Sequence, residues 1–409
     1  MNAEIIAIGT ELLLGQIPNT NAQHISNELA AVGIDVYTHS VVGDNEDRIV
    51  EALGRALGRA DVVILTGGLG PTPDDLTREA VARTLDVPLD RDEALVTEIT
   101  GVFERLGRSM PEINLKQADI PRGATPITAE GTAPGFIAER DGRIVAALPG
   151  VPWEMKAMLS KAVLPLLRER AGAAAIVSRQ ILVVGLGESM TEEKISDIVA
   201  AQSNPTIAYL AGGGVVRVRI TAKAHDDADA LLLIAPVEEA IRTRLGRAAV
   251  QGHHPSLAAA LIALLKARGA TVGVAESLTG GLIATALTEA PGSSEQFKGS
   301  IVCYTNEAKR DLVGVDKDIL SGPGPVSSEA AHALAEGAAH AFSADLGLGA
   351  TGVAGPDSHD GMPPGTIFVS ASLNGHTEVR QVKGYGPRAN VQALAVTSAL
   401  DLGRRLLED

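Results

Sequence analysis

Three short stretches in the last third of this 409-residue chain carry residue types suited to nucleophilic catalysis. The first is Ala275-Glu276-Ser277-Leu278-Thr279-Gly280-Gly281, where an apolar strand pattern gives way to a helical one. A serine at such a junction lies beside the free N–H groups of a helix N-terminus, which stabilise an oxyanion or hold a phosphate. Equally, Ser277 or Thr279 could cap the helix and do nothing more. The second stretch is Cys303-Tyr304-Thr305-Asn306, with Lys309 a turn later. A serine hydroxyl is a poor nucleophile until a base takes its proton. No histidine stands as an obvious partner here, so a lysine of lowered pKa or a tyrosine would have to serve. Taken alone, Lys309 reads as a solvated helix charge and Cys303 as a small core residue. The third stretch, Gly349-Ala350-Thr351-Gly352-Val353-Ala354-Gly355-Pro356, follows a strand pattern and reads as a loop. Such a run surrounds a phosphate or a ring, or merely turns the chain.

A second set lies near the front, in Thr66-Gly67-Gly68-Leu69-Gly70-Pro71-Thr72-Pro73-Asp74-Asp75-Leu76-Thr77. The glycines would admit a nucleotide or pterin, and the carboxylates could hold a divalent cation that neutralises phosphate. Asp75 also suits the N-cap of the helix that follows. Asp44, at the end of an earlier strand, could join the same site. The chain has no Walker A run, no Nudix-type Glu-rich helix and no HExxH.

The elements that must position these residues fall into three segments. Residues 1–170 alternate strands (Glu4–Ile8, Ile34–Val41, Asp61–Thr66) with helices (Thr20–Val32, Arg48–Arg59). This βαβ succession predicts an α/β layer with parallel strands and ligands at their carboxyl ends. Residues 171–250 predict a small α+β module, with strands around Gly212-Gly213-Gly214 and a long helix over Asp226–Leu245. Gly252-His253-His254-Pro255 reads as a linker. Residues 256–409 resume α/β, with a helix over Leu257–Arg268, a strand over Thr271–Ala275, a helix over Gly280–Glu289 and a strand over Ser300–Tyr304. Helices near Asn306–Leu312 and Ser328–Phe342, three further strands and a last helix from Arg388 complete it.

Composition narrows the function. With 35 basic against 50 acidic residues the net charge is −15, which disfavours nucleic acid as a direct partner. One cysteine excludes an internal disulfide and any cysteine-based zinc site. The first residues lack the pattern of a signal peptide, and no apolar run reaches ~18 residues. A cytoplasmic protein without a membrane partner is therefore expected. Aromatic residues are only 2% and glycines number 44, so small aliphatic side chains must fill the core.

Residues 256–409 resemble the C-terminal domain of the CinA (competence/damage-inducible) family, the nicotinamide mononucleotide amidohydrolases. The resemblance rests on AESLTGG at 275–281, on Tyr304 to Lys309 at 27 and 32 residues beyond Ser277, and on GATGVAGP at 349–356. It implies that Ser277 is the nucleophile, with Tyr304 and Lys309 as the Tyr/Lys pair that supplies the base. It further implies substrate contacts from Thr279, Gly280, Gly281, Thr351, Gly352 and Arg388, and no cofactor. The amides near Thr279–Gly281 would then hold the oxyanion or the nucleotide phosphate.

The front segment resembles the molybdopterin-binding fold as it occurs in full-length members of that family, on IGTELLLGQIPNTN (8–21), GGLGPTPDDLT (67–77) and LPGVPWEM (148–155). This resemblance implies an ADP-ribose pyrophosphatase that uses a divalent metal (Mg, Mn or Co) and potassium. Its site would comprise Glu11, Asn19, Gly67, Gly68, Lys116 and Glu154, with Asp75 and Asp44 as metal ligands. The middle segment resembles the family's KH-like domain. It lacks a GxxG loop between helices and carries eight Lys/Arg against nine Asp/Glu, so a spacer or dimerisation role is expected. The whole then reads as a bifunctional enzyme recycling pyridine nucleotides, a homodimer by resemblance. The other readings are a molybdopterin- or nucleotide-binding protein, and a non-enzymatic partner in competence or DNA repair.

Overall fold

The computed structural model describes residues 1–171 and 175–409. Residues 172–174, at the expected start of the middle segment, lie outside the described residues. The chain divides into two compact units, Met1–Ser178 with Ala222–Leu232, and Arg179–Thr221 with Leu233–Asp409.

The first unit is built on β1 (Asn2–Ile8), β2 (Asp35–Val42), β3 (Val62–Thr66), β4 (Leu89–Arg91), β5 (Asp119–Pro121), β6 (Thr125–Ile127), β7 (Gly135–Arg140) and β8 (Arg143–Leu148). Six of these form one sheet in the order β2-β1-β3-β8-β7-β6, and β4 pairs with β5. β2, β1, β3 and β8 are parallel, as the βαβ rhythm predicts, but β7 and β6 run antiparallel. The sheet is therefore mixed: two-residue Asp141-Gly142 links β7 to β8, and so short a link permits only an antiparallel return. β3 (VVILT) is buried throughout, because helices cover both faces. Ile6, Ile8, Val63 and Leu65 face Ile49, Leu53 and Val81 of the helices Glu46–Leu57 and Thr77–Leu85. The alternate residues Ile5, Val62 and Ile64 face Ile25 and Leu29 of Thr20–Ala31 and Met155 of Pro152–Met158.

The middle segment supplies β9 (Ala175–Val184), β10 (Thr206–Gly212) and β11 (Val215–Ala224), in the order β10-β11-β9, with helices Glu188–Ala200 and Asp227–Leu245. β10 and β11 form a hairpin.

The C-terminal sheet contains β12 (Val272–Glu276), β13 (Phe297–Val302), β14 (Leu346–Gly352), β15 (Thr366–Leu373) and β16 (His376–Lys383), in the order β13-β12-β14-β15-β16. β13, β12 and β14 are parallel, and β15 and β16 are antiparallel. Val272, Val274, Leu346, Leu348 and Val369 pack on the helices Leu257–Arg268 and Arg388–Glu408. Ala275 and Cys303 pack with Leu334 and Ala338 of the helix Ser328–Phe342 on the other face. That helix sits unusually near the sheet, since a Cβ on Gly347 would overlap the Ala335 carbonyl. Close approach of small residues explains how a chain so poor in aromatics fills its core.

Two expected boundaries shift. β13 ends at Val302, so Tyr304 stands beyond the strand instead of closing it. β14 runs on to Gly352, so Thr351 belongs to a strand and only the residues after it form a loop.

Candidate active site

β12 ends on Glu276, a fully buried carboxylate, before the turn. Its oxygens accept from the amides of Gly281 (3.0 Å), Ile283 (2.9 Å) and Ala284 (2.9 Å) and from the Ser300 hydroxyl (3.0 Å). Glu276 thus takes the capping role that was the alternative reading of Ser277 or Thr279; the helix Leu282–Thr288 begins after Gly281 with no cap from its N-cap side chain. Gly280 and Gly281 adopt φ of 60° and 102°, a left-handed pair that side-chain-bearing residues resist. The turn leaves the Ser277 hydroxyl free for other work.

That hydroxyl lies 3.1 Å from Nζ of Lys309. Lys309 comes from the helix Asn306–Val313, whose N-cap Thr305 accepts from the Ala308 amide. Lys309 is only 3% exposed and Ser277 8%, so Lys309 is no solvated helix charge. Burial lowers its pKa, and the nearby Cys303 and Asp360 oppose that only in part. Desolvation favours the neutral amine, the form that can accept a proton. Tyr304 is 60% exposed, and its hydroxyl accepts from Nη2 of Arg388 at 2.9 Å. Arg388 also donates to the Gly355 carbonyl at 3.2 Å. Cys303 is buried in the core, and burial pushes its thiol pKa up.

These groups open on a cavity of 570 Å³, whose wall includes Ser277, Leu278, Tyr304, Lys309, Gly352 and Arg388. Thr279, Gly280, Gly281 and Thr351 stand outside that wall. The Gly281 amide is spent on Glu276 and the Gly280 amide on the Ser277 carbonyl. The amides of Leu278 and Thr279 have no acceptor among the described residues, which moves the available donors one or two positions towards Ser277. Thr351 is fully buried and donates to the Pro325 carbonyl at 2.7 Å, so it braces a cavity-lining loop from behind. Sequence reading missed Glu276 as an anchor, although its place between a buried strand and a Gly-Gly turn was a usable signal. It also missed Asp357, His359 and Asp360 on the cavity wall, for which no local pattern stands out.

In the first unit, a cavity of 410 Å³ is lined by Glu11, Asp44, Gly67, Gly68, Asp75 and Glu154, with Asp74 and Gln117 beside them. Asp75 does not cap the helix Thr77–Leu85, whose N-cap is Leu76; its Oδ2 accepts from the Thr72 amide (2.9 Å) and hydroxyl (2.5 Å) instead. Asp44 is held similarly by the amide and hydroxyl of Thr10. Glu154 is buried, and burial raises its pKa. Asn19 and Lys116 are not in the wall. Asn19 caps the helix Thr20–Ala31, and Lys116 donates to the Asp75 carbonyl at 2.6 Å while pairing with Glu79. Arg78, fully buried and unforeseen, donates to the carbonyls of Leu69 and Gly70 and so fixes the glycine loop. Among the described residues no three His, Cys, Asp or Glu side chains are grouped to hold a metal ion. Asp44 and Asp75 share the cavity wall but do not by themselves make up such a group.

A mixed α/β unit with a glycine-and-carboxylate cavity, a three-stranded α+β segment and an α/β domain with a buried serine–lysine pair together define a multidomain α/β protein. Residues 254–407 match the CinA C-terminal domain family, residues 4–169 the family described as "Probable molybdopterin binding domain", and residues 178–250 the damage-inducible protein CinA KH domain. A "CinA-like protein" of Frankia casuarinae is 46% identical over all of this chain and 96% of its own length. A relative in Clostridium beijerinckii named for competence-damage induction is 44% identical over the full length of both. Among solved structures, the protein CinA from Thermoplasma acidophilum is 41% identical over 39% of this chain and 94% of its own, with a TM-score of 0.37. The chain belongs to the CinA family.

Proposed function

We propose that the C-terminal domain hydrolyses the carboxamide of nicotinamide mononucleotide to nicotinate mononucleotide and ammonia. The observation that carries this reading is the buried pair of Ser277 Oγ and Lys309 Nζ at 3.1 Å. Neutral Lys309 takes the Ser277 proton as Oγ attacks the carboxamide carbon. The free amide of Leu278, on the cavity wall, receives the oxyanion. Lys309 then returns its proton to the leaving nitrogen, which departs as ammonia. Water, deprotonated by Lys309, attacks the acyl-serine and releases the carboxylate product with Ser277 restored. Arg388, steadied by Tyr304, suits the nucleotide phosphate, and Asp357 and Asp360 suit the positively charged ring. Ser277→Ala should abolish ammonia release from nicotinamide mononucleotide while leaving the melting curve unchanged. Retained turnover in purified protein sinks the assignment.

For the first unit we propose ADP-ribose cleavage to AMP and ribose 5-phosphate. The glycine-floored cavity with Glu11, Asp44 and Asp75 on its wall supports it. A divalent cation, which would neutralise the diphosphate, is part of this proposal. ADP-ribose turnover lost in Asp75→Asn but kept in Ser277→Ala would assign that activity to this unit.

A further inference from the structure

A second cavity of the C-terminal unit, 480 Å³ in volume, shares no lining residue with the Ser277 cavity. Its walls come from the loop Gly185-Leu186-Gly187, the β10–β11 hairpin, β16 and the helix Arg388–Glu408. Val184, Val215, Val216, Val382 and Leu394 give it an apolar floor.

Its polar groups converge from three directions. The helix Glu188–Ala200 starts at Gly187 without a side-chain cap, and the amides of residues 186–190 have no acceptor among the described residues. Ser398, 8% exposed and on the helix face it shares with Leu394 and Asp401, lines the cavity. Its hydroxyl has no partner among the described residues, whereas the adjacent Thr397 donates to the Gly213 carbonyl at 2.6 Å. Arg380 reaches the wall from β16 and donates to the fully buried Asp401 at 3.3 Å. Asp401 also accepts from Arg404 and Arg405, and Glu408 takes a second pair with Arg404. Three guanidiniums against two carboxylates leave one positive charge over. Glu188, exposed at the rim, is the one further carboxylate on the wall. Glu188 brings the balance to zero, so a doubly charged anion is disfavoured relative to a singly charged one, whose charge is met by the unbonded amides, the Ser398 hydroxyl and Arg380.

The geometry points to a binding site for a small monocarboxylate with an apolar body. The body lies on the valines and Leu394. The carboxylate takes hydrogen bonds from the uncapped amides, the Ser398 hydroxyl and Arg380. The site stands independently of the amidase reading, because its test reads binding and not turnover.

3-Phenylpropionate is the probe, titrated into the full chain by calorimetry. One equivalent should bind, with Kd on the order of 1 mM or tighter for a ligand of this size. Ser398→Leu, which fills the cavity, and Arg380→Gln, which removes a charge-assisted hydrogen bond on a partly exposed side chain, should each weaken binding about tenfold or more. Arg388→Ala, in the other cavity, should not. Arg380→Gln keeps the test decisive if Ser398→Leu fails to fold. Absence of saturable binding up to about 10 mM, unchanged binding in Arg380→Gln, or loss in Arg388→Ala overturns the proposal. Tighter binding of phenyl phosphate with the same response to the variants overturns the monocarboxylate assignment.

Discussion

Replacing Lys309 by methionine separates a catalytic from a structural lysine more sharply than any other change in this chain. Methionine keeps the unbranched stem and fills the same space, but it removes the amine that faces Ser277 Oγ. Loss of a positioned general base lowers the rate by about 10²–10⁴, or about 3–5 kcal/mol of barrier. Stability should move the other way. Lys309 is buried without a carboxylate partner, and a buried amine carries a desolvation cost that a thioether lacks. Lys309→Met should therefore unfold at the same urea concentration as the parent, or be up to about 1 kcal/mol more stable. The assay pairs ammonia release from nicotinamide mononucleotide with a urea melt on the same preparation. A fall in kcat/KM of less than about tenfold, with stability intact, refutes Lys309 as the base. A stability loss above about 2 kcal/mol refutes the claim that the lysine is kept for chemistry and not for packing.

Four further outcomes follow from the same geometry. Because burial lowers the Lys309 pKa, kcat/KM should climb with pH through a value below the ordinary lysine figure of about 10.4 and then level off; a flat profile contradicts the neutral-amine mechanism. The linked stability has a definite sign: the unfolded chain binds the lysine proton more tightly, so stability rises with pH between the lowered folded value and the ordinary one. That rise should vanish in Lys309→Met urea melts. Glu276→Gln places an NH₂ where a carboxylate oxygen accepts two donors, and should cost about 2–4 kcal/mol and most of the turnover; a change below about 1 kcal/mol shows that the turn holds itself. Tyr304→Phe removes only the hydroxyl that faces Arg388, so KM should rise within about tenfold while kcat stays put; a kcat loss as large as that of Lys309→Met makes the tyrosine the base.

Most of the architecture was legible because its periodicities are strong. The helix Ser328–Phe342 stands where its pattern puts it, and β3 is a bare apolar run between two helices. The antiparallel edge of the first sheet was not, since β7 and β8 are short apolar runs whose direction depends on the link between them. Within the site, Ser277, Lys309, Tyr304, Gly352 and Arg388 share one cavity wall. Thr351 looked like a loop residue because Gly349 and Gly352 flank it. Those glycines instead serve close packing, where a Cβ would meet the Ala331 and Thr366 carbonyls. Lys116 and Asn19 were site candidates by resemblance, and each makes a local bond, one to a loop carbonyl and one as a cap. Polar residues that secure a loop and polar residues that hold a ligand look alike until their partners are known.

Glu276, Cys303, Tyr304 and Lys309 are four ionisable groups near Ser277, and their hydrogen bonds decide which of them can act as its base. Glu276 precedes it in sequence, but both carboxylate oxygens are taken by three amides and the Ser300 hydroxyl. Using Glu276 as a base would leave those buried donors competing with a proton, at a cost of several kcal/mol. Cys303 directs its thiol at the Glu276 carbonyl, and burial holds it protonated. Tyr304 accepts from Arg388 and points to solvent. Among the described residues Lys309 alone hydrogen-bonds to the serine oxygen, and its burial favours the uncharged amine. The same turn thus needs its two polar neighbours for opposite reasons. Glu276 must stay charged and fully bonded to hold the nucleophile in place, while Lys309 must stay unpaired to activate it.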